Sequence, residues 1–168
     1  MKKRIISVIA IMFAFCSVFY GVFVEASASD AEKEKIVDGS YLTKEESSKG
    51  YSKNNLIKGK HMMDGECSIT KAGLTRVYCY GATTGYHVVD YIAVIVYVEQ
   101  YNEEGDFWGR IDSWMESDKD TYYVSTGKTI KVDRGYYYRV RADHFVEKKP
   151  DPMEDTFSVT NGILVPAP

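Results

Sequence analysis

The 168-residue chain is poor in the residues that mark most chemistry. It has three histidines, His61, His87 and His144, and three cysteines, Cys16, Cys67 and Cys79. Two sulfurs with no histidine between them do not make the four-ligand set of a zinc site, so no metal centre is expected. A catalytic triad needs a serine or cysteine nucleophile beside a histidine, and no Gly-x-Ser-x-Gly elbow occurs. His144, after Asp143, is the best single candidate for proton transfer, but a strand-end histidine bonded to a loop carbonyl is its simpler reading. Carboxylate pairs can be drawn among Asp90, Glu99, Asp112 and Glu116, and acidic residues are plentiful enough for such pairs to arise by chance. Asp151, Glu154 and Asp155 lack EF-hand spacing and read as a solvated loop. The expectation is a protein with no catalytic residue, no metal and no cofactor.

Positive charge is also short. Once the first 28 residues are set aside, 18 basic residues stand against 23 acidic ones, a net charge of −5. Nucleic-acid binders carry a basic footprint, and this chain does not, which also argues against adhesion to anionic membranes. No internal repeat is visible. No Leu-Pro-x-Thr-Gly sorting motif occurs, and the chain closes on Val165-Pro166-Ala167-Pro168, so free release is expected over covalent wall attachment.

The first 28 residues read as a signal peptide. Lys2, Lys3 and Arg4 precede a nearly all-apolar run from Ile5 to Val24, and Ala26-Ser27-Ala28 supplies small residues for cleavage. The run is long enough to span a bilayer, but no Lys/Arg cluster follows it, so cleavage after Ala28 and no lasting membrane anchor are expected. Cys16 lies inside the run behind Phe15, unlike a lipid-modification site. Residues 29–60 are polar and hold too few apolar side chains to offset their ordering entropy; they read as a flexible leader, with Tyr41 and Leu42 able to form a short strap. The folded domain is expected over 61–168.

From Gly65 the hydrophobic period becomes two. Glu66 to Thr70 and Thr75 to Tyr80 form a hairpin across Lys71-Ala72-Gly73-Leu74. In the register that pairs Ile69 with Val77, Cys67 falls opposite Cys79, and in an exported chain such a pair is expected as a disulfide; the alternative is two buried free thiols. Val88 to Tyr101 is the longest run. Ile92, Val94, Val96 and Val98 line one side and Tyr91, Ala93, Ile95 and Tyr97 the other, which predicts a central strand covered on both sides. Phe107 to Glu116 places Trp108 and Trp114 on the parity opposite Ile111. Thr121 to Val132 is broken at Gly127, where a bulge or bend is expected. Tyr136 to Val146 sends Tyr136, Tyr138, Val140 and Ala142 inward and Tyr137, Arg139 and Arg141 outward. Short strands with turns every 8 to 12 residues predict an antiparallel β-sandwich.

Val132, Gly135 and Tyr138 have the layout of a tyrosine corner, in which a ring packs inward and its hydroxyl bonds to backbone just upstream. At this point the chain resembles fibronectin type III and immunoglobulin-like domains, although the buried tryptophan and inter-sheet cystine of antibody domains are missing. More broadly, the sequence resembles an uncharacterised family of small secreted proteins from clostridia-like Gram-positive bacteria. The residues that carry this resemblance are Ser40-Tyr41-Leu42-Thr43 with Ser47-Ser48, Gly65 with Ser68-Ile69, Gly81 with Thr83, and Trp108. Gly135-Tyr136-Tyr137-Tyr138-Arg139-Val140 with His144, and Ser158-Val159-Thr160-Asn161-Gly162-Ile163, complete the set. The resemblance implies export and a β fold, and no activity.

Fourteen tyrosines, seven phenylalanines and two tryptophans exceed what one core needs. Trp108, Trp114, Tyr137, Arg139 and Arg141 are the residue types that anchor interfaces and stack on sugars, provided they are exposed; otherwise the tryptophans are core. The expected role is a secreted, non-catalytic module that binds an extracellular protein or a glycan, with a cell-wall-binding module and a small hydrolase as the alternatives.

Overall fold

The computed structural model describes residues 35–52 and 59–168; the expected signal peptide and the rest of the expected leader lie outside them. Eleven strands follow in order: β1 (Ile36–Val37), β2 (Ser40–Thr43), β3 (Ser47–Tyr51), β4 (Met62–Lys71), β5 (Arg76–Val89), β6 (Tyr91–Asn102), β7 (Phe107–Asp118), β8 (Thr121–Lys131), β9 (Tyr136–Glu147), β10 (Glu154–Val159) and β11 (Gly162–Val165). The larger sheet has the order β1-β2-β11-β9-β6-β7, with β10 also on β9; the smaller has the order β3-β4-β5-β8. The two sheets pack as a β-sandwich. Every pairing is antiparallel except β2 with β11, which is parallel.

Period-two alternation builds the core. Ile92, Val94, Val96 and Val98 of β6, with Tyr138, Val140, Ala142 and Val146 of β9, meet Cys67, Ile69, Val77 and Cys79 of β4 and β5, and all are buried. Each such aliphatic side chain contributes roughly 1.5–3 kcal/mol when taken from water. The other side of β6 departs from expectation: Ala93 is buried, but Ile95 and Tyr97 are only half-buried, so the strand is not covered on both sides.

The β4–β5 hairpin takes a register two residues from the expected one. Ile69 pairs with Cys79, Cys67 with Gly81 and Lys71 with Val77. A shift of two leaves every side chain on its own face, so alternation alone cannot tell the two registers apart. Ala72 N–H donates to Arg76 O at 2.9 Å, and Gly73 turns at φ +123°. Cys67 and Cys79 are thereby diagonal rather than opposite, and both are buried free thiols, which corrects the expected disulfide. Burial pushes each thiol up to about 12.

Three further expectations change. Residues 36–51, expected in the leader, form β1 to β3. Asp38-Gly39 turns the β1–β2 hairpin with positive φ at both positions, the two-residue turn that such a dipeptide favours. β8 runs unbroken through Gly127, which pairs with Tyr80; a Cβ there would strike the Tyr78 hydroxyl, so the glycine seats a ring and makes no bend. In β7, Asp112 pairs with Val98 and Arg110 with Glu99, leaving Ile111 as a one-residue bulge. Everything before the bulge therefore changes face relative to everything after it.

Gly135 (φ +90°) leads into β9. Tyr138 is buried and its hydroxyl donates to Asp133 O at 2.9 Å, with Val132 buried nearby. Desolvation pushes that hydroxyl up to about 12.

Candidate functional site

The β7 bulge decides where the tryptophans lie. Trp114 pairs with Val96 and faces the small sheet, packing on the core and donating its indole N–H to Thr126 Oγ1 at 3.2 Å. Trp108 pairs with Tyr101 on the opposite, outer side of the large sheet. There the β1–β2 hairpin lies across it: its indole N–H donates to Val37 O at 3.0 Å, and a Cβ on Gly162 would strike its ring. The two rings sit half-buried on different faces of one sheet and form no common platform with Tyr137.

Arg139 is the second correction. It points to the outer side as its parity requires, but it is only 2% exposed. Its Nε donates to Glu99 at 2.7 Å, its terminal nitrogens reach Asp38 Oδ2 at 2.8 Å and Ser40 Oγ at 2.9 Å, and its guanidinium stacks on Trp108 at 4.5 Å. This arginine clamps the first hairpin to the sheet and is not part of any surface ladder. Tyr137 is half-buried, and Arg141 is the member of the expected set that stays accessible.

The hydrolase alternative centres on His144. Thr83 Oγ1 donates to Ala93 O at 2.9 Å, so it accepts from His144 Nδ1–H at 2.9 Å. His144 Nε2 is then bare and accepts the Ser158 hydroxyl proton at 2.8 Å. The polarity is that of a serine–histidine dyad, yet His144 is 0% exposed and Ser158 1%, sealed between the sheets with Gly65 packed flush on the ring. Burial lowers the imidazole to about 4, which leaves it neutral at pH 7 and a weaker base than an ordinary histidine. The cluster is a satisfied core network.

What the structure does expose is the outer side of the large sheet beyond the hairpin. The register across β7, β6, β9 and β10 makes one row of Met115, Ile95, Asp143 and Phe157, and the next of Ser113, Tyr97, Arg141 and Val159. Met115 is 53% and Phe157 54% exposed, while Ile95, Tyr97 and Phe145 are half-buried around them. Arg110 stacks on Tyr97 at 4.1 Å and Arg141 lies 5.0 Å from the Phe157 ring centre. The outer face of a sandwich ordinarily alternates to polar. Here it holds aliphatic, aromatic and arginine side chains in neighbouring rows. Arg110 also lines a cleft of about 510 Å³ with Gln100, Asn102, Phe107, Ile111 and Tyr136. Tyr136, expected in the core, is exposed there.

The small sheet's outer face differs in chemistry. Tyr78 lies between Thr70 and Thr129, Tyr80 between Ser68 and Gly127, and Thr84 beside Tyr123, with Tyr51 across from Glu66. Tyr80 and Tyr123 share a hydroxyl–hydroxyl bond of 2.7 Å. Hydroxyls and tyrosine rings replace the aliphatic groups of the other face.

Residues 26–162 match the family model described as a family of unknown function, DUF6147. The chain belongs to the DUF6147 family. The DUF6147 match takes in β1 and β2, so the hairpin that Arg139 clamps falls inside the family's own span. No match is found among curated proteins or among solved structures.

Proposed function

We propose that the protein is a secreted, non-catalytic interaction module that binds a protein partner with the outer face of its large sheet. Secretion rests on the basic, apolar and small-residue sequence of the first 28 residues. The observation that carries the binding reading is the row of Met115, Ile95, Asp143 and Phe157, three apolar side chains and one carboxylate paired with Arg141, with Arg110 and Arg141 stacked on rings beside it. Aromatic residues, methionine and arginine are the side chains enriched at protein interfaces, and a few of them carry most of the affinity. The sealed Ser158–His144 pair supports the non-catalytic part, because no substrate reaches it.

The test is affinity capture of partners from culture medium and cell-surface extract by the chain lacking residues 1–28, beside its Met115→Ser/Phe157→Ser variant. Loss of at least one specific partner at unchanged thermal midpoint supports the reading, with affinity falling by about thirtyfold or more if the two are anchors. Equal capture by both proteins overturns it. A glycan-binding reading, relocated from the tryptophans, has one observation in its favour: the tyrosine and hydroxyl chemistry of the small sheet. Retention on insoluble polysaccharide that Tyr78→Ala abolishes and Met115→Ser/Phe157→Ser leaves intact would favour it.

A further inference from the structure

His61 and His87 are placed as a pair by three separate parts of the chain. His61 immediately precedes β4, and its backbone is pinned: Glu154 accepts the backbone N–H groups of Lys60 (2.6 Å), His61 (3.0 Å) and Met62 (2.7 Å). His87 lies where β5 leaves its regular pairing with β8, between Thr84 and Val89. Tyr86 N–H donates to His61 O at 2.9 Å and holds the two segments together. Asp151, from the β9–β10 loop, supplies a carboxylate 2.9 Å from His61 Nε2 and also pairs with Lys60 at 2.5 Å. The carboxylate accepts from Nε2–H, which leaves His61 Nδ1 with a bare lone pair. That lone pair faces His87 Nε2 at 3.1 Å, with the rings nearly perpendicular at 85°.

We propose that His61 Nδ1 and His87 Nε2 form a two-point chelate for a late first-row divalent cation of the Zn²⁺ or Cu²⁺ class. Two metal–nitrogen bonds of about 2.0–2.1 Å, meeting at an angle between square-planar and tetrahedral, set the nitrogens roughly 2.9–3.4 Å apart, and the observed separation falls inside that span. Without metal the rings share one N–H···N hydrogen bond; with metal, the exposed His87 ring turns so that both lone pairs converge on the ion, the His87 proton resides on Nδ1 and its Nε2 becomes a ligand. Asp151 completes the carboxylate–histidine–metal relay that fixes ring orientation and raises ligand basicity. His61 is 4% exposed and His87 is at the surface, so the site is anchored on one side and open on the other. Among the described residues no group of three His, Cys, Asp or Glu side chains is placed to hold a metal. The remaining coordination positions are therefore left to water or to an incoming donor.

The experiment uses untagged, metal-stripped protein, titrated with Zn²⁺ against a chromophoric competitor and with Cu²⁺ under electron paramagnetic resonance. One saturable Zn²⁺ per chain is expected, weakened at least tenfold by His87→Ala and by about ten- to a hundredfold by Asp151→Asn. The Cu²⁺ spectrum should show coupling to two nitrogens in the native protein and one in His87→Ala. His87 is exposed, so its variant keeps the fold, and an unchanged circular dichroism spectrum checks this. Absence of saturable binding, or binding that His87→Ala leaves unchanged, overturns the proposal.

Discussion

Replacing Arg139 by methionine removes a charge from beneath the β1–β2 hairpin while keeping a flexible stem against Trp108. Of the two carboxylates it pairs with, Asp38 has a side chain 76% exposed and simply returns to water, whereas that of Glu99 is 12% exposed and is stranded. Breaking a buried pair from one side costs about 3–5 kcal/mol. Lost guanidinium stacking on Trp108 adds up to about 1 kcal/mol. For a domain of this size each kcal/mol moves the thermal midpoint by about 3–5 °C, so a fall of roughly 10–30 °C is expected. The paired variant Arg139→Met/Glu99→Leu removes both charges and should recover most of the loss, because an uncharged, packed pair needs no counter-ion. Asp38→Ala should cost less than about 1 kcal/mol, as exposed pairs do. Urea unfolding of the native protein, these three variants and Glu99→Leu at pH 7, followed by circular dichroism, measures the Arg139–Glu99 cycle and the Asp38 contribution. A loss under 1 kcal/mol in Arg139→Met, or a paired variant as weak as the single one, refutes the reasoning.

Two other outcomes follow from buried groups. His144 sits at about 4 in the folded chain against 6.5 when unfolded, so between those values the unfolded state binds the extra proton. Its contribution is full above pH 6.5 and is lost as pH falls to 4, up to about 3 kcal/mol; His144→Asn should flatten the part of the stability profile that lies in this window, and an identical profile would exclude the mechanism. Cys67 and Cys79 are buried thiols held near 12, so in a chain shortened by residues 1–28, and with them Cys16, a maleimide or disulfide reagent should modify them only as fast as the domain opens, with two labels per chain in denaturant and none within minutes under native conditions.

Alternation along β4 to β9 made most of the strands legible, because a sandwich buries one side of each strand and period two reports which side. What was not legible depended on events of one or two residues. The bulge at Ile111 reverses parity midway through β7, and nothing in Trp108 to Trp114 announces it, so two tryptophans assigned to one face lie on two. The hairpin register differs by two, which the pattern is blind to, and the cysteine pairing changed with it. Arg139 has the parity of an exposed residue, and its burial depends on a hairpin some hundred positions earlier in the chain. That hairpin did carry a signal in Asp38-Gly39, outweighed in the sequence reading by the polar composition around it. The His61–His87 pair had none, since 26 positions and an irregular stretch of β5 separate the two residues.

Among the described residues, β11 lies between β2 and β9, so residues 162–165 carry the strand pairing that joins the first hairpin to the rest of the large sheet. The hairpin near residue 40 therefore has no edge to join until that bridge exists. During synthesis the β1–β2 hairpin can pair within itself, but it joins the large sheet only after the late strand β11 has been made, so that joining is a contact of very long sequence separation. The same arrangement makes the four residues of β11 a keystone out of proportion to their number: removing them would release β1, β2 and the roof over Arg139 together.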